Sequence, residues 1–265
     1  MMALHPLLSE PITVEVKTKD RGRMLLDLED SAQFPLYYNI YEWKDKPTLE
    51  KLVQGTRTVV DIGGNIGQMA LLFAQYAKRV ITFEPIPRLA DRLEEQIKLN
   101  ALDGIILLRR EALSDHEGTL QIELPTIENG GSGSTILTHA ISSTSIEVKA
   151  KRLDTVLNEI GIGDVDFVKM DIEGAELFAL RGMTELLREP HGPIMVLEMN
   201  QKMMDLAGYS ASDIIKFLGR FDYRCYRFMK SGLEGPLSVV QPHIENYCFL
   251  TSEHIARPHI HNLLI

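Results

Sequence analysis

Val59-Val60-Asp61-Ile62-Gly63-Gly64-Asn65-Ile66-Gly67 is the stretch whose reading decides the fold. The apolar run reads as a buried strand, and the glycines after it make a turn open enough for a ligand to approach the backbone. A second apolar run, Val80-Ile81-Thr82-Phe83, ends in Glu84, roughly twenty residues on, where a nucleotide site places the acid that holds ribose hydroxyls. Loop and acid together predict an α/β protein with an adenosine-containing cofactor.

Outward from this stretch the chain alternates strand and helix with short connections, the rhythm of βα units. Met69, Leu72, Phe73 and Tyr76 form a core-facing helical stripe after the loop,. A helix over about 87–100 and a strand at 105–108 come next, then a Gly/Ser-rich stretch at 129–134. Asp154 is placed as the N-cap of a further helix. Val165–Asp171 reads as a fourth strand, followed by helix 174–187, strand 194–198, helix 211–219 and aromatic strands near 222–228 and 246–250. The expected fold is α/β, a doubly wound, mostly parallel seven-stranded Rossmann-like sheet spanning residues 57–265. Residues 1–56 are a separate extension: Ile12–Val16 and Met24–Leu28 flank a turn at Asp20-Arg21-Gly22 and predict a small antiparallel cap. A cluster of Phe34, Tyr37, Tyr38, Tyr41 and Trp43, followed by a helix at 47–53, packs that cap onto the core.

Composition excludes several classes. With 265 residues, 45% hydrophobic and 25% charged, the chain is neither disordered nor fibrous. A formal charge of -9 argues against a broad grip on nucleic-acid phosphates. No apolar run approaches the roughly 18–20 residues that span a bilayer, and Met1–Pro11 lacks the basic start of a signal peptide. A cytoplasmic protein is expected, with neither nucleic acid nor membrane as partner and with homo-oligomerisation left open. Cys225 and Cys248 show no metal or redox spacing and read as buried thiols,.

Right-handed crossovers bring Asp61–Gly67, Glu84–Pro85, Glu111–Ser114, Asp171–Glu176 and Glu198–Asn200 to the carboxyl edge of the sheet, where such folds bind ligands. Two cofactors fit there. The dinucleotide fingerprint, started at Gly63, needs glycines where Asn65 and Gln68 stand,. Asp61 ahead of the loop would repel a pyrophosphate and suits an ammonium and a sulfonium, which favours S-adenosylmethionine over a nicotinamide dinucleotide.

Val60–Gly67, Phe83-Glu84-Pro85, Ala112-Leu113-Ser114-Asp115-x-x-Gly118 and Asp166-Phe167-Val168-Lys169-Met170-Asp171-Ile172-Glu173-Gly174-Ala175-Glu176 resemble the successive motifs of FkbM-type S-adenosylmethionine-dependent methyltransferases. The likeness runs over about residues 57–250, and the Lys169–Glu176 block is its specific part. The glycine loop alone resembles the wider class I methyltransferase fold. Gly64 stands where the family often has alanine, and residues 1–50 match no motif of it.

The resemblance implies that Gly63 and Gly67, with Asn65 between them, turn around the methionine moiety, that Asp61 steers its ammonium, that Glu84 binds the ribose hydroxyls and that Ala112 offers its backbone N–H to adenine. Lys169 and Asp171, two apart on a strand, point to one face, and a buried lysine calls for a partner, so the two are expected to pair. Asp171 then either orients the loop or sits beside the methyl group and positions the acceptor. Glu173 either caps the following helix or reaches the acceptor. The general base is sought among Asp171, Glu173 and Glu198. Asp171, Glu198 and Asn200 also resemble the oxygen set with which catechol-type methyltransferases bind magnesium. His139 and His243 are further pocket candidates, and His254, His259 and His261 read as a solvated tail.

The expected activity is O-methylation of a hydroxyl on a small metabolite or sugar-bearing natural product, a substrate class implied by the resemblance alone. Its rivals are a nicotinamide-dependent oxidoreductase and a non-catalytic cofactor-binding scaffold.

Overall fold

The structure, a computed structural model, describes residues 12–28, 33–37, 44–123, 145–240 and 243–265. Tyr38, Tyr41, Trp43 and His139, the Gly/Ser-rich stretch and the side chain of Phe34 lie outside the described parts.

The half-buried alternation at the N-terminus forms the expected hairpin, β1 (Thr13–Lys17) antiparallel to β2 (Arg23–Asp27). A turn of helix α1 (Phe34–Tyr37) and helix α2 (Lys46–Val53) lead to the first central strand, β3 (Thr58–Ile62). Then come α3 (Gln68–Phe73), β4 (Arg79–Phe83), α4 (Pro87–Leu99) and β5 (Ile106–Arg109). Three strands with no counterpart in the expected pattern, β6 (Ala112–Leu113), β7 (Gly118–Glu123) and β8 (Ser145–Lys151), make a separate small sheet in the order β6-β8-β7. The chain continues with α5 (Leu153–Glu159), β9 (Phe167–Met170), α6 (Glu176–Arg181), α7 (Thr184–Arg188), β10 (Ile194–Asn200), α8 (Gln201–Leu206) and α9 (Ala211–Gly219). It closes with β11 (Arg224–Met229), β12 (Gly232–Leu237), β13 (Ile244–Leu250), α10 (Ser252–Ala256) and α11 (Pro258–His261).

The main sheet runs β5-β4-β3-β9-β10-β13-β11-β12. Strands β5 through β10 are parallel, β13 is reversed, β11 returns to the parallel sense and β12 reverses again. This is the expected doubly wound, mostly parallel sheet with eight strands where seven were counted. The extra one, β12, is an edge strand carrying Gly235 and Pro236, residues that hide a strand in a pattern reading.

Strand residues alternate between two buried faces. Val59, Val80, Phe167 and Val196 pack one core with α3, α4 and the hairpin, while Val60, Ile81, Val168 and Leu197 pack the other with α5–α9. Met24 and Leu26 of β2 are wholly buried in the first core, about 2 kcal/mol of burial each. The open edge of β2 is met by α4: Gln96 exchanges two 2.8 Å hydrogen bonds with the backbone of Leu25, and Asn100 does the same for Arg23 at 2.8 and 2.7 Å. Two amide side chains four apart on one helix face thus replace a missing strand partner.

Two expected helices change. The single helix over 174–187 is two, parted at Gly182 and Met183, where the Ser114 carbonyl oxygen packs so close that a Cβ at Gly182 would stand 2.0 Å from it. Asp154 is not an N-cap of its own helix. Arg152 holds that position, and the Asp154 carboxylate accepts the N–H groups of Glu185 and Leu186, each at 3.1 Å, at the start of α7. Cys225 and Cys248 are buried free thiols. His254 is 1% exposed and reciprocally capped with Thr251, with burial lowering its pKa to about 4, so it belongs to the core and not to a solvated tail. No helix among the described residues is long and apolar enough to cross a membrane.

Candidate functional site

The glycine loop folds over the end of β4, where Gly63 and Gly64 donate to the Phe83 carbonyl at 3.0 and 2.9 Å. Gly63 (φ +92°) and Gly67 (φ +97°) adopt conformations that favour glycine, and a Cβ at Gly63 would stand 2.0 Å from the Asp171 carbonyl oxygen,. Asn65 is also left-handed (φ +47°), and its Oδ1 accepts the next N–H at 2.7 Å, the local hydrogen bond that makes asparagine tolerable there,.

Glu84 follows β4 directly beneath this loop. Its Oε2 accepts the Asn65 N–H at 2.8 Å and its Oε1 the Ile86 N–H at 2.9 Å. Each oxygen keeps a second lone pair. Burial raises its pKa to about 7, against the pull of the two N–H donors.

Asp61 lies opposite Thr82 on one neighbouring strand and Lys169 on the other. Its side chain is fully buried, and Oδ2 accepts from Thr82 Oγ1 at 3.0 Å. Oδ1 is buried with no hydrogen-bond partner among the described residues. Burial raises its pKa to about 6, while Thr82 and Lys169 oppose the shift.

Lys169, 2% exposed, donates to the Met170 carbonyl at 3.2 Å and stands 3.7 Å from Asp171 Oδ2. The expected pair is present. Asp171 is 40% exposed, at the mouth of the site. Beside it, burial and the Asp171 carboxylate push Glu198 up to about 8. Glu198 lies opposite Asn246, whose Nδ2 donates to buried Asp45 at 3.1 Å.

Glu173 does not cap the helix. It is left-handed at φ +50°, and its Oε2 accepts from Asn200 Nδ2 at 3.1 Å, with burial raising its pKa to about 6. The loop amides go to Glu176 instead, which accepts Ile172 N–H at 3.3 Å and Gly174 N–H at 3.1 Å and is closed off by Tyr209 OH at 2.7 Å. Sequence reasoning assigned Glu176 no role, although a glutamate two residues after a glycine at a helix start is the available signal.

The structure therefore gathers Asp61, Gly63, Asn65, Gly67, Glu84, Lys169, Asp171, Glu173, Glu198 and Asn200 on one sheet edge. Ala112 stands apart in β6 of the small sheet, linked to the edge because Glu84 N–H donates to Arg109 at 2.9 Å. Of the possible magnesium set, Asn200 Oδ1 accepts the Met203 N–H at 3.4 Å and caps α8, while Lys169 Nζ stands 3.7 Å from Asp171 Oδ2. Among the described residues no group of three or more His, Cys, Asp or Glu side chains is placed to hold a metal ion. His243 is exposed, its carbonyl accepting from Gln201 at 3.2 Å.

The chain is similar in sequence to known proteins. The hexuronic acid methyltransferase AglP of Haloferax volcanii is 30% identical over 60% of this chain and 59% of its own. Methyltransferase sdnD of Sordaria araneosa is 31% identical over 48% and 60%, and the 2-O-methyltransferase NoeI of Sinorhizobium fredii 30% over 49% and 58%. The chain thus spans about three fifths of the length of these curated relatives. A solved structure, the methyltransferase FkbM of Methylobacillus flagellatus KT, is similar at TM-score 0.49 and 18% identity over 74% of this chain and 44% of that one, too loosely to add weight. The model of the methyltransferase FkbM domain matches residues 61–225, more than half of the sequence and the whole of the edge just described, and the chain belongs to that family.

Proposed function

We propose that the chain is an S-adenosylmethionine-dependent O-methyltransferase acting on a hydroxyl of a small sugar-bearing acceptor. The observation that carries this reading is the placement of Glu84, with two oxygens anchored by backbone N–H groups, beneath a loop whose glycines leave no room for side chains. Beside it, Asp61 keeps a buried oxygen with no partner among the described residues, an acceptor that an ammonium would satisfy. These features fit the cofactor: Glu84 for the two ribose hydroxyls, Gly63, Asn65 and Gly67 for the methionine moiety, Asp61 for its amine, Ala112 for the adenine edge.

Bound S-adenosylmethionine supplies a methyl group already activated on a sulfonium, so the protein's share is alignment and exclusion of water. Asp171 reaches the mouth of the site and accepts the hydrogen bond of the acceptor hydroxyl. Lys169, 3.7 Å from that carboxylate, holds it in position. Glu198, pushed up to about 8, takes or holds a proton near neutral pH beside Asp171, and Glu173 braces the loop through Asn200. Names of relatives that act on a hexuronic acid and at a 2-O position support the sugar hydroxyl as acceptor.

Calorimetry with S-adenosylhomocysteine and with NAD, joined to a labelled-methyl assay on an acceptor panel, tests the reading. Asp171→Asn is expected to bind S-adenosylhomocysteine as the parent does and to lose transfer. Binding of NAD in place of S-adenosylhomocysteine would sink the proposal.

A further inference from the structure

A cleft of about 910 Å³ lies between the β1–β2 turn, the start of α2 and the ends of β11 and β13. Six cationic side chains line it: Lys19, Arg21, Lys44, Lys46, Arg227 and Lys230. Asp20 and Glu245 are the acids among its lining residues, although the chain as a whole carries -9. Asp20 pairs with both Arg21 and Lys46. Glu245 lies 3.1 Å from Lys44 and 3.8 Å from Arg227. With Glu50, 3.4 Å from Lys46, three acids thus serve four cations, and Lys19 and Lys230 are exposed with no ion-pair partner among the described residues. Like charges held in one concavity repel each other and draw an anion.

A chain of contacts leads from the cleft toward the acid cluster. Asp45, flanked in sequence by the lining residues Lys44 and Lys46, is 1% exposed and joined to Asn246, which faces Glu198 across the β10–β13 pair. Because β11 runs in the sense of β10 and β13 against it, residues 227–230 and 244–245 fall on the edge that carries Asp171. A ligand seated among the cations therefore extends naturally toward that carboxylate.

We propose that this cleft seats an anionic group, carboxylate or phosphate, carried by the sugar whose hydroxyl is methylated, an inference that rests on the methyl-transfer reading. The half-buried Arg227 offers a planar fork suited to two oxygens of one anion, and Lys19 and Lys230 add flexible charge at the rim,.

The test is calorimetry of the full chain with D-glucuronate, glucose phosphate, uncharged methyl glucoside and S-adenosylhomocysteine, at low and high salt. At least one charged sugar is expected to bind, more weakly at high salt, and methyl glucoside not to bind. Whichever charged sugar binds identifies the anion as carboxylate or phosphate. The double variant Lys19→Glu/Lys230→Glu is expected to weaken the charged sugar roughly tenfold and to leave S-adenosylhomocysteine unchanged. Equal binding of charged and uncharged sugars, or binding of S-adenosylhomocysteine alone, overturns the proposal and spares the methyl-transfer reading. Salt-dependent binding of a charged sugar without S-adenosylhomocysteine overturns that reading instead, and with it the assignment of the anion to a methyl acceptor.

Discussion

Lys169 Nζ stands 3.7 Å from Asp171 Oδ2, with the lysine side chain 2% exposed and the aspartate 40% exposed. The same ammonium opposes the raised pKa values of Asp61, Glu198, Glu173 and Asp45. Lys169→Met keeps the packing volume and removes the one charge that these acids share. The expected loss of stability is about 1–3 kcal/mol near pH 8, less than for a fully buried pair because Asp171 meets water. Without the cation the acids bind protons more tightly when folded, so the penalty exists where they would ionise and fades as the pH falls. Urea unfolding near pH 8 and near pH 6 checks this. Equal losses at the two pH values would count against the cation's role.

Gly64 and Thr82 compete for one space. A Cβ at Gly64 would stand 2.3 Å from Thr82 Oγ1, the hydroxyl that donates to Asp61. Gly64→Ala is expected to cost about 1–3 kcal/mol, and Thr82→Ala about 1 kcal/mol through the lost hydrogen bond. Together they should cost less than their sum by about 0.5–1 kcal/mol, since the alanine at 82 vacates what the alanine at 64 needs. A double-mutant cycle read by thermal unfolding that gave strict additivity would reject the competition.

The parallel half of the sheet was legible because buried strands read as continuous apolar runs and each helix carried its own stripe. The site edge was legible for the same reason, since the topology alone brings Asp61, Glu84 and Asp171 together. What escaped depends on contacts between distant segments. Asp154 looked like a cap for the helix it begins, and its carboxylate serves α7 across the fold. Glu173 looked like the capping acid, yet its left-handed backbone turns it to Asn200 and leaves the amides to Glu176. The small sheet escaped because Gly118–Glu123 and Ser145–Lys151 mix exposed, half-buried and buried positions with little apolar run to mark them.

Metal removal is expected to change little. Asn200 Oδ1 is engaged by the Met203 N–H and its Nδ2 by Glu173, so the third oxygen of a magnesium set is turned to α8. Methyl transfer measured with a strong chelator should match the untreated rate, and added magnesium should not raise it. Asn200→Ala should cost about 1 kcal/mol as a lost helix cap, read by urea unfolding. Activity abolished by chelation and restored by magnesium would show that Asn200 swings back to a metal.

Glu84 sets the direction of the pH dependence. Its folded pKa of about 7 lies above the ordinary 4.5, so the folded state binds the extra proton. Stability on its account is therefore highest below about pH 4.5 and declines as the pH rises through 7, by roughly 3 kcal/mol in all. Ligand binding runs the opposite way, because only the ionised carboxylate can accept both ribose hydroxyls. S-adenosylhomocysteine affinity should rise roughly tenfold from about pH 6 to about pH 8, measured by calorimetry. Glu84→Gln should weaken binding and leave only the shallow slope of Asp61, whose pKa is about 6. A wild-type affinity that is flat over this range would remove Glu84 from the ribose site.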